Sequence, residues 1–369
     1  MWRFLLLLLW LGSFAAVAED QSPIRLGMSA PFSGPAAQLG LSYRHGAELV
    51  FQKQNQQGGI AGRPLQLVAL DDGYEPIRTV ANTRQLLFSH QVMALFGYIG
   101  TPTSSAVLPM VRHEQIPYLA PFSGADLLRQ QNDHFIYNFR ASYAEEAKAQ
   151  IKYLVDQQQL RKIALLIQAD EFGATLEQNF LTELSYRGIK PLVISRFQRN
   201  SSDLSQAVKQ LVQYQPELVL TVGTYQVLAQ AIKLANLKKF RPVYSVVSFT
   251  GVSKLALMLG SQDKVVASMV MPDPVSNQSD LARAYREAAG QEIPLSDIAF
   301  EGFAAATLLV QALQQCSADV SRNCLLKTLP AQQLYDFELH YDQKRHQASN
   351  QVFLVSLKNQ QLQPLAIND

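Results

Sequence analysis

The chain has 369 residues, and its 32 Lys and Arg nearly balance 30 Asp and Glu, for a formal charge of +2. That balance gives no pull toward nucleic acid or an anionic membrane, and aromatic residues do not interleave with basic ones as a single-strand binding groove needs. Two cysteines, Cys316 and Cys324, flank the polar stretch SADVSRN; in an exported protein they are expected to form a disulfide pinning a helix end to the next helix, and with no His nearby they make no zinc site.

Export is expected from the first eighteen residues. Arg3 supplies a positive charge, Phe4 to Leu11 is a short apolar run, and Ala16-Val17-Ala18 is a small-residue cleavage site before Glu19. This reads as a secretory signal peptide cleaved after Ala18 and is too short to span a bilayer.

Short apolar runs then alternate with amphipathic stretches. IRLGMSA, LQLVAL, VMALFG and IPYLA read as strands; SYRHGAELVFQKQNQQ, PIRTVANTRQLLFSH and TPTSSAVLPMVRHE read as the helices between them. The motif restarts after IYNFR with AEEAKAQIKYLV, KIALLI, ATLEQNFLTELSYRG, PLVISRF, DLSQAVKQLVQY, ELVLTVG, QVLAQAIKLANL and PVYSVV. Such alternation means βαβ units and parallel sheets covered on both faces. About ten strands exceed what one compact open sheet of this length holds, so an α/β chain of two lobes is expected. The pattern weakens near Arg140 to Tyr143 and again at MPDPVSN, residues 271–277. Two helical stretches follow, LARAYREAAG and IAFEGFAAATLLVQALQQ, and then FELHY and QVFLVSL read as strands, so the tail is expected to return to an earlier lobe.

The stretch APFSG occurs twice, at 30–34 and 120–124, each time closing an apolar run. A strand that stops at Pro and turns through Ser-Gly leaves a hydroxyl and free N–H groups at the carboxyl edge of the sheet, where ligands of open α/β folds sit. Between the copies, GYIGTPTSS opens a helix with Thr101 as N-cap and Pro102 at N1, a place suited to a small anion. Ser33, Thr101 and Ser123 together suggest a binding rim. Enzyme motifs do not appear: there is no G-x-S-x-G elbow, P-loop or G-x-G-x-x-G, and the six histidines lack metal spacing. Asp71-Asp72 and Glu145-Glu146 are sequence neighbours that point different ways.

These segments together resemble the type I periplasmic solute-binding proteins, in particular the branched-chain amino acid receptors of ABC importers. The resemblance is carried by IRLGMSAPFSGPAAQLG, QQGGIAGRPLQLVALDDGYEP, GTPTSSAVLP, YLAPFSGA, YNFRASYAEEA and ELVLTVGTY with YSVVSFTGVS, in order along the chain. It implies two Rossmann-like lobes with parallel central sheets, joined by three crossovers and closing on a ligand. The implied division puts residues 19–143 and 274–340 in the first lobe and 144–273 and 341–369 in the second. Thr101, Ser123 and Gly124 match positions that hold a ligand carboxylate, and Glu145 an acidic position that helps hold an α-ammonium. Phe172 matches an aromatic contact from the second lobe, and Thr224-Tyr225 a Gly-Tyr-Tyr segment.

Departures from that pattern concern the ammonium. Thr250 stands where the family supplies a second carboxylate, Leu39 where relatives carry Tyr, and Tyr74 near the family's missing first-lobe disulfide. Glu145 must then suffice, Glu301 must reach in, or the ligand is not an α-amino acid, because a buried ammonium needs its counter-charge. The expectation is a monomeric receptor without cofactor that passes a small carboxylate-bearing solute, an amino acid being the leading example, to an inner-membrane ABC permease. A sensor docking onto a membrane kinase or cyclase, or an exported hydrolase, are the alternatives.

Overall fold

The structure, a computed structural model, describes residues 22–291 and 294–367; the expected signal peptide lies outside them. Strands β1 (Ile24–Ala30), β2 (Leu65–Asp71), β3 (Ala94–Phe96), β4 (Tyr118–Leu119) and β5 (Ile136–Tyr137) form a parallel sheet in the order β2-β1-β3-β4-β5. A second sheet runs β12-β11-β10-β9-β8-β6-β7, built from β6 (Ile163–Gln168), β7 (Ile194–Phe197), β8 (Leu218–Val222), β9 (Val243–Val246), β10 (Lys264–Met269), β11 (Phe353–Lys358) and β12 (Gln361–Leu365). Its core is parallel, and only β11 runs against it, pairing antiparallel with both β10 and β12. Continuous apolar runs such as IALLIQ in β6 are buried throughout, as strands covered on both faces must be.

Helices α1 (Ala37–Gln56), α2 (Pro76–Arg84) and α3 (Thr101–Glu114) belong to the first sheet. Helices α4 (Tyr143–Ile151), α5 (Glu171–Ser185), α6 (Ser205–Tyr214), α7 (Tyr225–Leu237) and α8 (Val252–Met258) follow in the second half of the chain. Helix α4 is seamed to the second sheet by Gln150, which donates to Val246 O (2.6 Å) and Ser268 Oγ (2.8 Å). The chain then returns: α9 (Asp280–Ala289) and α10 (Asp297–Gln315) pack on α1, and α11 (Arg322–Thr328) follows. It finally crosses to β11, so it passes between the sheets three times.

Two expectations shift. FELHY alternates like a strand but is irregular, and residues 342–349 lie along the end of β5: Asn138 N donates to His346 O (2.7 Å) and Ala348 N to Asn138 O (2.8 Å). The last crossing therefore falls near residue 350 rather than 340. The KVVASM strand β10, α8 and α11 are short elements that the reading of the sequence passed over.

Helices α1 and α10 cross backbone against backbone. A Cβ on Gly46 would lie 1.8 Å from Ala299 O, and one on Gly302 2.2 Å from Tyr43 O. Gly302→Ala should push the helices apart and cost about 2–3 kcal/mol, the scale of overpacking in a closed interface. Chemical denaturation checks this, and an unchanged midpoint contradicts it. Cys316 and Cys324 are disulfide-bonded, joining the end of α10 to α11 as expected.

Candidate functional site

The carboxyl edges of the two sheets face each other. In the first sheet, Gly100 precedes α3 with φ of 107°, and a Cβ there would stand 2.3 Å from the Tyr74 ring, so only Gly fits. This turn delivers Thr101 to the interior, where its Oγ1 lies 2.8 Å from Ser123 Oγ, both residues wholly buried. Gly124 lets the chain of Tyr143 approach: Tyr143 N donates to Gly124 O at 2.8 Å, and a Cβ on Gly124 would fall 2.6 Å from that nitrogen. The Tyr143 hydroxyl is thereby set beside the Thr101–Ser123 pair, buried and without a hydrogen bond of good geometry. Burial pushes its pKa to about 12, so it is a donor at any ordinary pH.

The two APFSG copies have different fates. In the first, Asp71 accepts from Phe32 N (2.8 Å), Ser33 N (3.2 Å) and Ser33 Oγ (2.6 Å), which makes Ser33 part of an exposed turn. Partial burial would raise the Asp71 carboxyl, but these bonds together with Gly73 N and Arg78 hold it down at about 2. In the second copy Ala120 takes the left-handed region at φ 47°, secured by its N–H on Tyr137 O and by Tyr43 on its carbonyl. That strained residue turns Ser123 inward.

Aromatic rings fill the space between the edges. Tyr74 and Phe122 come from the first sheet's loops, Tyr143 from the start of α4, and Phe172 and Phe249 from the second sheet's edge. Phe249 stands 4.5 Å from Phe172, 5.5 Å from Phe122 and 5.9 Å from Tyr74, and Tyr143 stands 5.5 Å from Phe172. At the rim, Arg199 and Asn200 reach across to Glu75 at 3.0 and 2.8 Å. Phe172, the aromatic contact expected from the second lobe, stands in the first turn of α5 among these rings.

Beneath the rings lies a buried ion network. Arg140 stacks its guanidinium over Phe122 (4.2 Å), donates to Ser248 Oγ (2.5 Å), and sets Nε 3.2 Å from Glu301 Oε1; its Nη1 has no partner. Glu146 accepts from Ser248 N and Oγ (2.8 Å each) and Ser268 Oγ (2.5 Å). Burial raises the Glu301 carboxyl to about 7, since Arg140 offsets the lost hydration only in part, and it raises Glu146 too.

Other expected site residues do other work. Glu145 completes the capping box of α4 with Ser142 and binds Arg345 (3.2 Å) and Gln347 (2.9 Å), where two crossovers meet; the buried acid is its neighbour Glu146. Thr250 donates to Gly223 O (3.0 Å), joining two loops of the second sheet. Thr224 is the buried N-cap of α7 without a side-chain cap bond, and Tyr225 reaches the backbone at Gln38. Sequence reasoning did not single out Arg140, Tyr143, Glu146 or Phe249 as site residues, and it considered Tyr74 only for the family disulfide.

Comparison with known proteins gives a consistent family. The model of a family described as periplasmic binding protein matches residues 23–361. A possible leucine/isoleucine/valine-binding protein from Rhodopirellula baltica SH 1 is 32% identical, covers 95% of this chain and 98% of its own, and superposes with a TM-score of 0.88. A solute-binding protein of an ABC transporter from R. palustris, solved with benzoate, shares the fold at TM-score 0.82, 19% identity and coverage of 94% and 96%. Among curated proteins, the Leu/Ile/Val-binding protein homolog 7 of Brucella suis biovar 1 is 23% identical over 237 residues, 62% of this chain. The alignment takes in 59% of that relative, so the chain matches about three fifths of its length.

Proposed function

We propose that this chain, which belongs to the periplasmic binding protein family, captures a small carboxylate-bearing solute between two lobes, one on each sheet, and presents it to an inner-membrane ABC permease from the periplasm. The carrying observation is the trio of buried hydroxyls at Thr101, Ser123 and Tyr143. Two are fixed by strand ends of the first sheet, and the third arrives on the helix that leads into the second. A solute that bonds all three and rests its body on Phe172 and Phe249 touches both lobes at once, and such differential contact shifts an open–closed equilibrium toward closure. The rim bonds from Arg199 and Asn200 to Glu75 join the edges in the same closed arrangement. Among the described residues no helix is long and apolar enough to cross a membrane.

A thermal-shift screen of amino acids, short-chain and aromatic carboxylates, and uncharged amides and sugars tests the reading. A ligand at about a hundred times its dissociation constant adds about 2.7 kcal/mol of stability. The expected hits are carboxylates; hits confined to uncharged solutes overturn the reading. Thr101→Ala with Ser123→Ala should weaken the best hit at least about tenfold, or about 1.4 kcal/mol. Calorimetry on the folded double variant decides it, and unchanged affinity contradicts the cradle.

A further inference from the structure

We infer that the solute held here is a carboxylate with an apolar, ring-sized or branched body and no cationic amine. The inference rests on the carboxylate reading above and narrows it.

Hydrogen-bond accounting comes first. Thr101, Ser123 and Tyr143 carry one hydroxyl proton each, and the Thr101–Ser123 bond uses one of the three. The Tyr143 hydroxyl adjoins Thr101 and Ser123 but makes no hydrogen bond of good geometry with either. Two O–H donors therefore converge at the N-terminal end of α3 with no protein acceptor assigned to them, and buried donors require one. The unpartnered Nη1 of fully buried Arg140 adds a cationic donor at the back of the same aromatic cluster. Donors without acceptors call for an anion.

The acids around the cluster are already committed. Glu145 serves the α4 cap, Arg345 and Gln347. Glu146 accepts from Ser248 and Ser268, and Glu301 faces Arg140. Asp170 caps α5 and pairs with Arg199. Asp72 accepts from Ser29, Thr79 and Tyr74 N, and Asp297 from Val252 N and Ser253 N. Thr250, which stands where an acid would be wanted, spends its hydroxyl on Gly223 O. An ammonium brought among these groups would lose its hydration without gaining a free counter-charge.

Aromatic faces do not rescue the amine. Ring faces attract cations, but Arg140 already lies over Phe122 at 4.2 Å and Arg199 over Tyr74 at 5.7 Å. A third cation would meet two like charges. What the cluster offers a solute body once the edges part is apolar ring surface from Phe172, Phe249 and Tyr143, all wholly buried in this closed arrangement.

Matched pairs that differ only in the amine give the test: 3-phenylpropanoate against L-phenylalanine, and 4-methylpentanoate against L-leucine, each by calorimetry on the whole mature protein. The amine-free member of at least one pair should bind, and in every pair that binds it should be at least about tenfold tighter than its amino acid. An amino acid that binds as well or better overturns the inference and leaves the receptor reading intact. Failure of all four acids at millimolar concentration also overturns it; a carboxylate hit of another class in the solute screen would then keep the receptor reading, whereas hits confined to uncharged solutes would end both. Tyr143→Phe keeps the ring and removes the unpartnered hydroxyl. It should leave the melting temperature of the free protein within error and weaken the amine-free acid by about tenfold. Unchanged affinity in that variant counts against the inference.

Discussion

Arg140→Met should be the most destabilising single substitution at the site, lowering the unfolding free energy by about 3–5 kcal/mol near neutral pH. Among the described residues Arg140 is the one cation placed against both Glu301 and Glu146, and all three side chains are buried. Methionine fills most of the volume and can still pack on Phe122, so lost packing is a minor part of the effect. What the variant leaves is a pair of buried carboxylates without a cation, and one or both must take up a proton. The deficit should therefore shrink as pH falls toward 5 (about the range where carboxyls protonate), and Glu301→Gln in the same chain should recover part of it. Urea denaturation of the two variants at two pH values checks this. Equal deficits at both pH values would mean that the charge of Arg140 is not what the site depends on.

Stability of the unmodified protein should fall as pH rises from about 5 to about 8, by roughly 3 kcal/mol. The sign follows from Glu301. Its carboxyl sits at about 7 in the folded chain because it is buried, against 4.5 when exposed. Between those values the folded state holds a proton that the unfolded state has released. The contribution is complete below the unfolded value and is lost as pH climbs through the folded one. Asp72, raised to about 6 by burial despite bonds from Tyr74 N, Ser29 and Thr79, acts in the same direction over a lower range. Asp71, held at about 2, acts the opposite way and only under acid conditions. Glu301→Gln should flatten the upper part of the profile and leave the part due to Asp72. A profile with the same slope in the variant would remove Glu301 as its source.

Local signals in the chain were enough for the alternating architecture and for the neighbouring hydroxyls of Thr101 and Ser123. Thr101, Ser123 and Gly124 are set by strand ends and a helix start, whose chemistry lies within a few residues, and so the APFSG and GTPTSS segments pointed to them directly. Glu145, the acid expected to face the ligand, is turned to the helix start for an equally local reason. Ser142-Tyr143-Ala144-Glu145 has the spacing of a capping box, which draws Glu145 back to the helix start. The next residue is turned by about 100°, which sends Glu146 inward. The capping pattern could have given this away. Arg140 offered no such clue. Its partners Ser248 and Glu301 are 108 and 161 residues further along (248 − 140 and 301 − 140) and meet it only once α4 and α10 have packed. Phe249 is similar: its ring neighbours Tyr74 and Phe122 come from two separate loops and Phe172 from the first turn of α5. FELHY misled because alternation reports which residues are covered, not which strand covers them. Its hydrogen bonds go to a hairpin-like turn and to Ala348 instead of a sheet.

A structure of the protein crystallised with 3-phenylpropanoate puts the whole account to the test. The carboxylate should lie within hydrogen-bond reach of Thr101 Oγ1, Ser123 Oγ and the Tyr143 hydroxyl, with the ring against Phe172 and Phe249 and both sheet edges touching the ligand. A ligand seated on one lobe alone, or with its carboxylate turned away from those three oxygens, would contradict it.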